Sequence, residues 1–304
     1  MPLNAGCYAN LDDLSSLRHA LRGRRLKAQQ KLWAQLSGSH HAVQKGRGME
    51  FSEVRQYQPG DDVRTIDWRV TARTQKPHTK VYIEEQERPV ILCLQQTPDL
   101  FFGSHIRFKS VQALQVAALF AWLTLQHNDQ IGGYLFNQQI HHWTAPKHHH
   151  SHVLRLLQQG LDLQQQLKQP ESYHPQLWEQ HLKQLQKAVK PGCQLILIGD
   201  LLSFSPSALR IIHQLKRQHD LIACHIYDRL EADLPHLGSV KLTDGTNELQ
   251  IDSETPDMRQ QYRDSYQQRF QNIRQQLLAF KIPVIALRAD ADPVAELMQQ
   301  GVLL

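Results

Sequence analysis

Pro89-Val90-Ile91-Leu92-Cys93-Leu94 is the run on which the architecture turns. It is continuously apolar and of strand length. A strand that faces water on one side alternates apolar with polar residues. A strand covered on both sides need not, so this run reads as a strand buried in the middle of a layered fold.

Working outward from it, the pattern strand, helix, strand repeats. Residues 108–126 form an apolar-rich helix. Residues 130–136 and 139–143 read as strands around a turn at Asn137-Gln138. Helices are predicted over 151–167 and 175–189, a second buried strand over 194–198, a helix over 205–218 and a strand over 221–227. Residues 239–242 and 248–251 flank Asp244-Gly245-Thr246-Asn247, a hairpin signal. A long helix follows over 257–280. Its Tyr262, Tyr266, Phe270, Ile273, Leu277 and Phe280 fall at helical spacing and read as a packing stripe. Residues 284–287 give the last strand and 293–299 a terminal helix. Short apolar strands alternating with helices predict an α/β fold with a doubly wound, mostly parallel sheet. Cys93, Ile196 and Ile226 should then lie on central strands with negligible exposure.

Upstream, residues 11–36 read as a helix opened by Asn10, with Asp12 and Asp13 in its first turn. Arg18, Arg22, Arg24, Arg25, Lys27 and Lys31 fall within it without an acidic residue among them. We read this block as a solvated helix face. Nucleic acid is the weaker alternative, because no aromatic residues are interleaved for base stacking. A flexible connector follows the helix, and residues 78–87 alternate as a strand leading into the sheet.

With 304 residues, 41% hydrophobic and 21% charged, the chain can bury a sizeable core. The formal net charge is +5. No apolar run reaches the ~20 residues of a membrane-spanning helix, and the first residues show no secretory pattern, so cytoplasm is the expected location. Cys7, Cys93, Cys193 and Cys224 are far apart and form no C-x-x-C pair. They read as reduced thiols packed as small hydrophobes. Phosphate-loop, dinucleotide and nucleophile-elbow motifs are absent, so no nucleotide site or nucleophile–base set is expected.

Residues 45–73, KGRGMEFSEVRQYQPGDDVRTIDWRVTAR, are dense in arginine and carboxylate and lack a helical period. Such a segment should form an ion-pair and turn network. Asp61, Asp62 or Asp67 should pair with Arg55, Arg64 or Arg73, and Trp68 should be largely buried. Gly46, Gly48, Glu50, Phe51, Arg55, Tyr57, Pro59, Gly60, Asp61, Asp62, Arg64, Asp67, Trp68, Ala72 and Arg73 resemble the signature of the domain-of-unknown-function-58 family. These are bacterial proteins built around a von Willebrand factor A-like domain. The resemblance continues through the core strand, the DQIGGYLF strand, the IGDLL turn, the DGTNELQID hairpin and the long helix.

The resemblance implies a sheet of von Willebrand factor A type. It also implies three parts: an N-terminal helix and linker over 1–44, a signature segment over 45–88 packing on the core, and a core domain over 89–304 with a hairpin insertion at about 232–256. Family members are commonly encoded beside MoxR-type AAA+ ATPases. An adaptor that binds such an ATPase and a client protein is therefore implied, with no small-molecule substrate.

It further implies a place for a metal-ion-dependent adhesion site, where Asp-x-Ser-x-Ser and a downstream Asp offer oxygens to magnesium. Here Gln95 stands at the motif's Asp, Thr97 at the first Ser and Asp99 at the second. Ser104 and Lys109 keep the pattern, and Asp200 matches the downstream Asp. Gln95 brings no charge, so the expectation is a degenerate site without a metal. Thr97, Asp99 and Asp200 are the ligands left for a weak magnesium ion.

Two further groups invite chemistry. Gly60-Asp61-Asp62 with Asp200 would suit a metal-dependent hydrolase, but the arginines nearby favour internal pairing. His141, His142 and Lys147-His148-His149-His150-Ser151-His152 look like a metal-binding tract. With no carboxylate or cysteine beside them, a polar loop leading into a helix is the expectation.

Overall fold

The computed structural model describes residues 6–24, 50–58, 61–83, 89–167, 174, 176–236, 238–243, 248–252 and 255–303. The chain divides into two compact units: Met1–His40 with Pro89–Leu304, and His41–Arg88.

In chain order the elements are α1 (Leu11–Ala20), β1 (Glu50–Gln56), α2 (Trp68–Thr74), β2 (His78–Ile83), β3 (Val90–Gln95) and α3 (Lys109–Gln126). Then come β4 (Ile131–Phe136), β5 (His141–Lys147), α4 (His150–Gln165), α5 (Leu177–Ala188), β6 (Gln194–Gly199), α6 (Pro206–Lys216) and β7 (Asp220–Tyr227). The chain closes with α7 (Arg229–Ala232), β8 (Ser239–Thr243), β9 (Glu248–Asp252), α8 (Pro256–Ala279), β10 (Val284–Arg288) and α9 (Pro293–Gln299).

Among the described residues, six strands form the main sheet in the order β10-β7-β6-β3-β4-β5. Every pairing is parallel except that of β4 with the edge strand β5. This is the doubly wound, mostly parallel sheet that the alternation of apolar strands and helices predicts. The order reverses at β3, which lies between β4 and β6.

Period-two geometry explains the unbroken apolar runs. Val90, Leu92 and Leu94 enter one core, while Ile91 and Cys93 enter the other. Ile196 and Ile198 separate from Leu195 and Leu197 in the same way, and Ile222, Cys224 and Ile226 from Leu221 and Ala223. Cys93, Ile196 and Ile226 are fully buried on β3, β6 and β7, as predicted. One core is filled by α3 and α4 with α1 and α9. The other is filled by α5, α6 and α8.

α3 is buried almost all round. A helix can be apolar on every side only if something covers its outer face, and α1 does so. Leu14 and Leu21 join the α3 core, and Trp122 Nε1 donates to the Leu14 carbonyl at 2.9 Å. α1 is shorter than predicted. It ends at Ala20 in a turn in which Gly23 takes a left-handed φ of 74°. The rest of the predicted span, with Arg25, Lys27 and Lys31, lies outside the described residues. Along α8, Tyr266 and Leu277 are buried and Phe270, Ile273 and Phe280 pack against the core, so the aromatic stripe is packing. β8 and β9 form the antiparallel hairpin expected there.

In the second unit β1 pairs antiparallel with β2. Asp67 caps α2 by accepting from Arg69 N and Val70 N. Asp62 caps the short turn Val63–Thr65 through Arg64 N.

Candidate functional site

The loops after β3, β6 and β7 leave the same edge of the sheet, beside the point where strand order reverses. This is where open α/β sheets place their sites. Three of the predicted site residues come from the first loop, and Gln95 closes β3.

Gln95 is fully buried, and its amide links two loops. Oε1 accepts the backbone N–H of Asp200 at 2.8 Å and the indole N–H of Trp178 at 3.2 Å. Nε2 donates to Thr97 Oγ1 at 2.7 Å and to Asp99 Oδ2 at 3.0 Å. Asp200 N and Trp178 Nε1 can only donate, so the amide oxygen must face them and its NH2 must face Asp99. Thr97 donates its hydroxyl to Asp99 in turn. Gly199, at the end of β6, makes room for this. A Cβ there would stand 2.2 Å from Gln95 Oε1 and 2.8 Å from its Cβ.

Asp200 opens the turn after β6. Its Oδ1 accepts from Leu202 N at 2.9 Å, and Oδ2 receives Lys109 Nζ at 3.3 Å. The same ammonium donates to Glu231 Oε1 at 2.7 Å. Lys109 is the first residue of α3 and only 1% exposed. Burial works against its charge, yet Asp200, Glu231 and Asp99 hold its pKa above the ordinary lysine value. Burial and the nearby Asp200 charge push Asp99 up to about 6. Burial alone would raise Asp200 as well, but Lys109 and His225 outweigh it and hold Asp200 below the usual range.

Ser104 is drawn to a different carboxylate. Its N–H and hydroxyl both donate to the buried Asp228, at 2.9 and 2.6 Å. Asp228 caps α7, and Glu231 accepts from Asp228 N at 2.8 Å in a capping box. Ser104 therefore reaches Lys109 only through Asp228 and Glu231. His225, buried on β7, accepts Leu201 N at its Nδ1 and bonds Tyr266 through Nε2. That pattern fixes the neutral Nε2–H tautomer. Burial lowers its pKa to about 4, with Asp200 opposing.

The structure thus brings Gln95, Thr97, Asp99 and Asp200 together and leaves Ser104 apart, joined to Asp200 through Asp228, Glu231 and Lys109. Lys109, Glu231, Asp228, His225 and Trp178 belong to the same network but were not singled out as site residues. The signals available were the family pattern at Lys109 and the placing of a lysine at the start of an otherwise apolar helix. The donor set does not fit a magnesium site of the adhesion type. Both hydroxyls donate to carboxylates, Gln95 presents hydrogens where a ligand oxygen is needed, and an ammonium stands between Asp200 and Glu231.

The signature segment forms one of the expected arginine–carboxylate pairs but does not bury its tryptophan. Arg55 and Asp61 form a two-pronged pair at 2.8 and 2.6 Å, which holds the Asp61 carboxyl below the usual range. Asp62 and Asp67 serve instead as turn and helix caps. Arg64 and Arg73 are exposed. Trp68, expected to be buried, is 70% exposed, and Val63 is 60% exposed. Trp68 begins a short helix whose capping fixes the backbone without drawing in the indole. The carboxylates of Gly60-Asp61-Asp62 are thereby spent on local structure.

Of the histidine tract, His141 lies on β5 and stacks on Tyr134, while His150 and His152 lie on α4. Among the described residues no three His, Cys, Asp or Glu side chains are grouped to hold a metal. No helix among them is long and apolar enough to cross a membrane. Cys93, Cys193 and Cys224 are buried, and all four thiols are free.

A family model described as "Protein of unknown function DUF58" matches residues 53–276. Uncharacterized proteins of Mycobacterium bovis and Mycobacterium tuberculosis are 27% identical over 298 residues, covering 95% of this chain and 90% of theirs. Among solved structures, the conserved hypothetical protein BatB from Bacteroides thetaiotaomicron aligns with a TM-score of 0.43 and 11% identity, over 70% of this chain and 96% of that one. The SpRpn10 VWA domain aligns with a TM-score of 0.35 and 7% identity, over 71% and 95%.

Proposed function

The chain belongs to the DUF58 family, and we propose that it is a non-enzymatic cytoplasmic adaptor that binds a MoxR-type AAA+ ATPase and a client protein. The observation that carries this reading is the exposure of Trp68 within the signature segment. An indole left in water by its own fold gains most by burial against a partner, and tryptophan is enriched among residues that dominate interfaces. Val63 in the same unit is also exposed. The ion pair and caps around them keep the backbone in place, so the segment can present side chains without spending them on the core.

The carboxyl edge supports a binding rather than a catalytic role. Its carboxylates, hydroxyls and ammonium bond to one another, and no nucleophile stands beside a free base. The experiment is capture of the MoxR-type ATPase encoded in the same genome by the purified full chain, with ATP present. Wild type should retain the ATPase. Trp68→Ala should lose it at unchanged melting temperature. Failure of the wild type to bind, or substrate turnover by the chain alone, would overturn the adaptor role.

A further inference from the structure

We propose that the Lys109 ammonium is the resident cation of the carboxyl edge, balancing Asp200 and Glu231 as a divalent ion would, so that a metal can enter only when this ammonium is removed.

Position is the first support. Lys109 opens α3, where the unsatisfied N–H groups and the helix dipole favour an anion and oppose a cation. A lysine buried there is tolerable only if carboxylates surround it. They arrive from two different strands: Asp200 after β6 at 3.3 Å, and Glu231 after β7 at 2.7 Å. The ammonium thus ties together loops that a bound ion would otherwise tie.

The neighbouring donors are the second support. Gln95 aims its NH2 at Asp99, and Thr97 aims its hydroxyl at the same carboxylate. Ser104 aims its hydroxyl at Asp228. The amide of Gln95 and the hydroxyls of Thr97 and Ser104 therefore each donate a hydrogen to a carboxylate of this edge. The raised pKa of Lys109 agrees with this geometry, since the ammonium stays charged across the physiological range.

Removing the ammonium leaves Asp200 and Glu231 facing one another with Asp99 close by in charge. Magnesium and manganese are commonly held by one or two carboxylates plus waters, so the truncated site has the minimum set. This inference concerns the isolated chain and stands whether or not the ATPase partnership holds.

The test uses the purified full chain, with manganese and magnesium as probes. Titration calorimetry and thermal melts compare wild type, Asp200→Asn, Lys109→Ala and Lys109→Ala/Asp200→Asn. Wild type should bind neither ion saturably at millimolar concentration and melt alike in chelator and in magnesium. Lys109→Ala should melt several degrees lower and recover part of that loss with manganese, saturably. The double variant should not recover. Saturable binding by wild type that Asp200→Asn abolishes would overturn the proposal. So would a Lys109→Ala variant that melts unchanged, or one that is destabilised but unaffected by manganese. Should Lys109→Ala fail to fold, Glu231→Gln replaces it: a wild-type chain without saturable binding and a Glu231→Gln variant that melts lower would support the proposal, and an unchanged Glu231→Gln melt would overturn it.

Discussion

The amide oxygen of Gln95 accepts the backbone N–H of Asp200 at 2.8 Å, joining two loops 105 residues apart in sequence. The two residues occupy positions where the family resemblance anticipates two acidic groups around an ion. Here one of them has become a neutral crosslink. Its oxygen is satisfied by Asp200 and Trp178 and its hydrogens by Thr97 and Asp99, so substitutions at this position should be read against four partners at once.

Gln95→Glu keeps the shape and replaces the NH2 with an oxygen facing Asp99. The new carboxyl would be buried beside Asp99, so its folded pKa should lie above its unfolded value. Stability is then retained at low pH and lost as pH rises through the folded value. The measurement is the melting temperature of variant and wild type across pH. A difference that does not grow with rising pH would mean that Gln95 does not donate to Asp99.

Gly199→Ala places a methyl group 2.2 Å from Gln95 Oε1. Gln95 must move, breaking its bonds to Asp200 and Trp178, at a cost of about 1–3 kcal/mol. Because both changes disrupt the same contacts, Gly199→Ala should cost less in a Gln95→Ala background, with some cost remaining from the Cβ of position 95, which stays 2.8 Å away. Denaturant unfolding of the cycle reads this, and additive effects would disprove the coupling.

In the signature segment, Arg55→Ala should lower thermal stability, because it removes the two-pronged partner of Asp61. Arg64→Ala should change it little, since that side chain is exposed. Trp68→Ala should also stay within about 0.5 kcal/mol of wild type. Chemical denaturation of the three variants separates them, and a large loss in Trp68→Ala would return that residue to a fold-locking role.

Acid should destabilise the chain. Burial lowers His225 and His181 to about 4, from an ordinary value of 6.5. Their contribution is complete above 6.5 and is lost as pH falls through about 4. Asp99, pushed up from 3.8 to about 6, acts in the opposite sense: its contribution is present below 3.8 and lost as pH rises through about 6. Burial also lowers His152 and His219 and raises Glu231 and Glu296. Four histidines thus stand against three carboxyls, and the net is a loss on acidification from 6.5 towards about 4. The depressed Asp200 adds to it below 3.8. Melting temperatures measured across that range should fall with pH. A rise would reverse the assignment of neutral, buried histidines.

What the sequence determined by itself was the architecture. Apolar runs such as 89–94 and 194–198 require cover on both faces, and the helices between them supply it, so local pattern and global layering agree. The resemblance located Gln95, Thr97, Asp99 and Asp200 at one edge because loops after parallel strands leave that edge together. The tertiary structure alone decided what those residues do. Lys109 finds Asp200 and Glu231 at separations of 91 and 122 residues, and no local pattern encodes a pairing at that range. Ser104 turns to Asp228 rather than to Asp99 for the same reason. Trp68 went the other way, because composition counts an indole as core, whereas a short capped helix can hold it in water. Periodicity reports which face a residue occupies. Whether a charge is paired or an aromatic is covered depends on which distant segment comes to rest beside it.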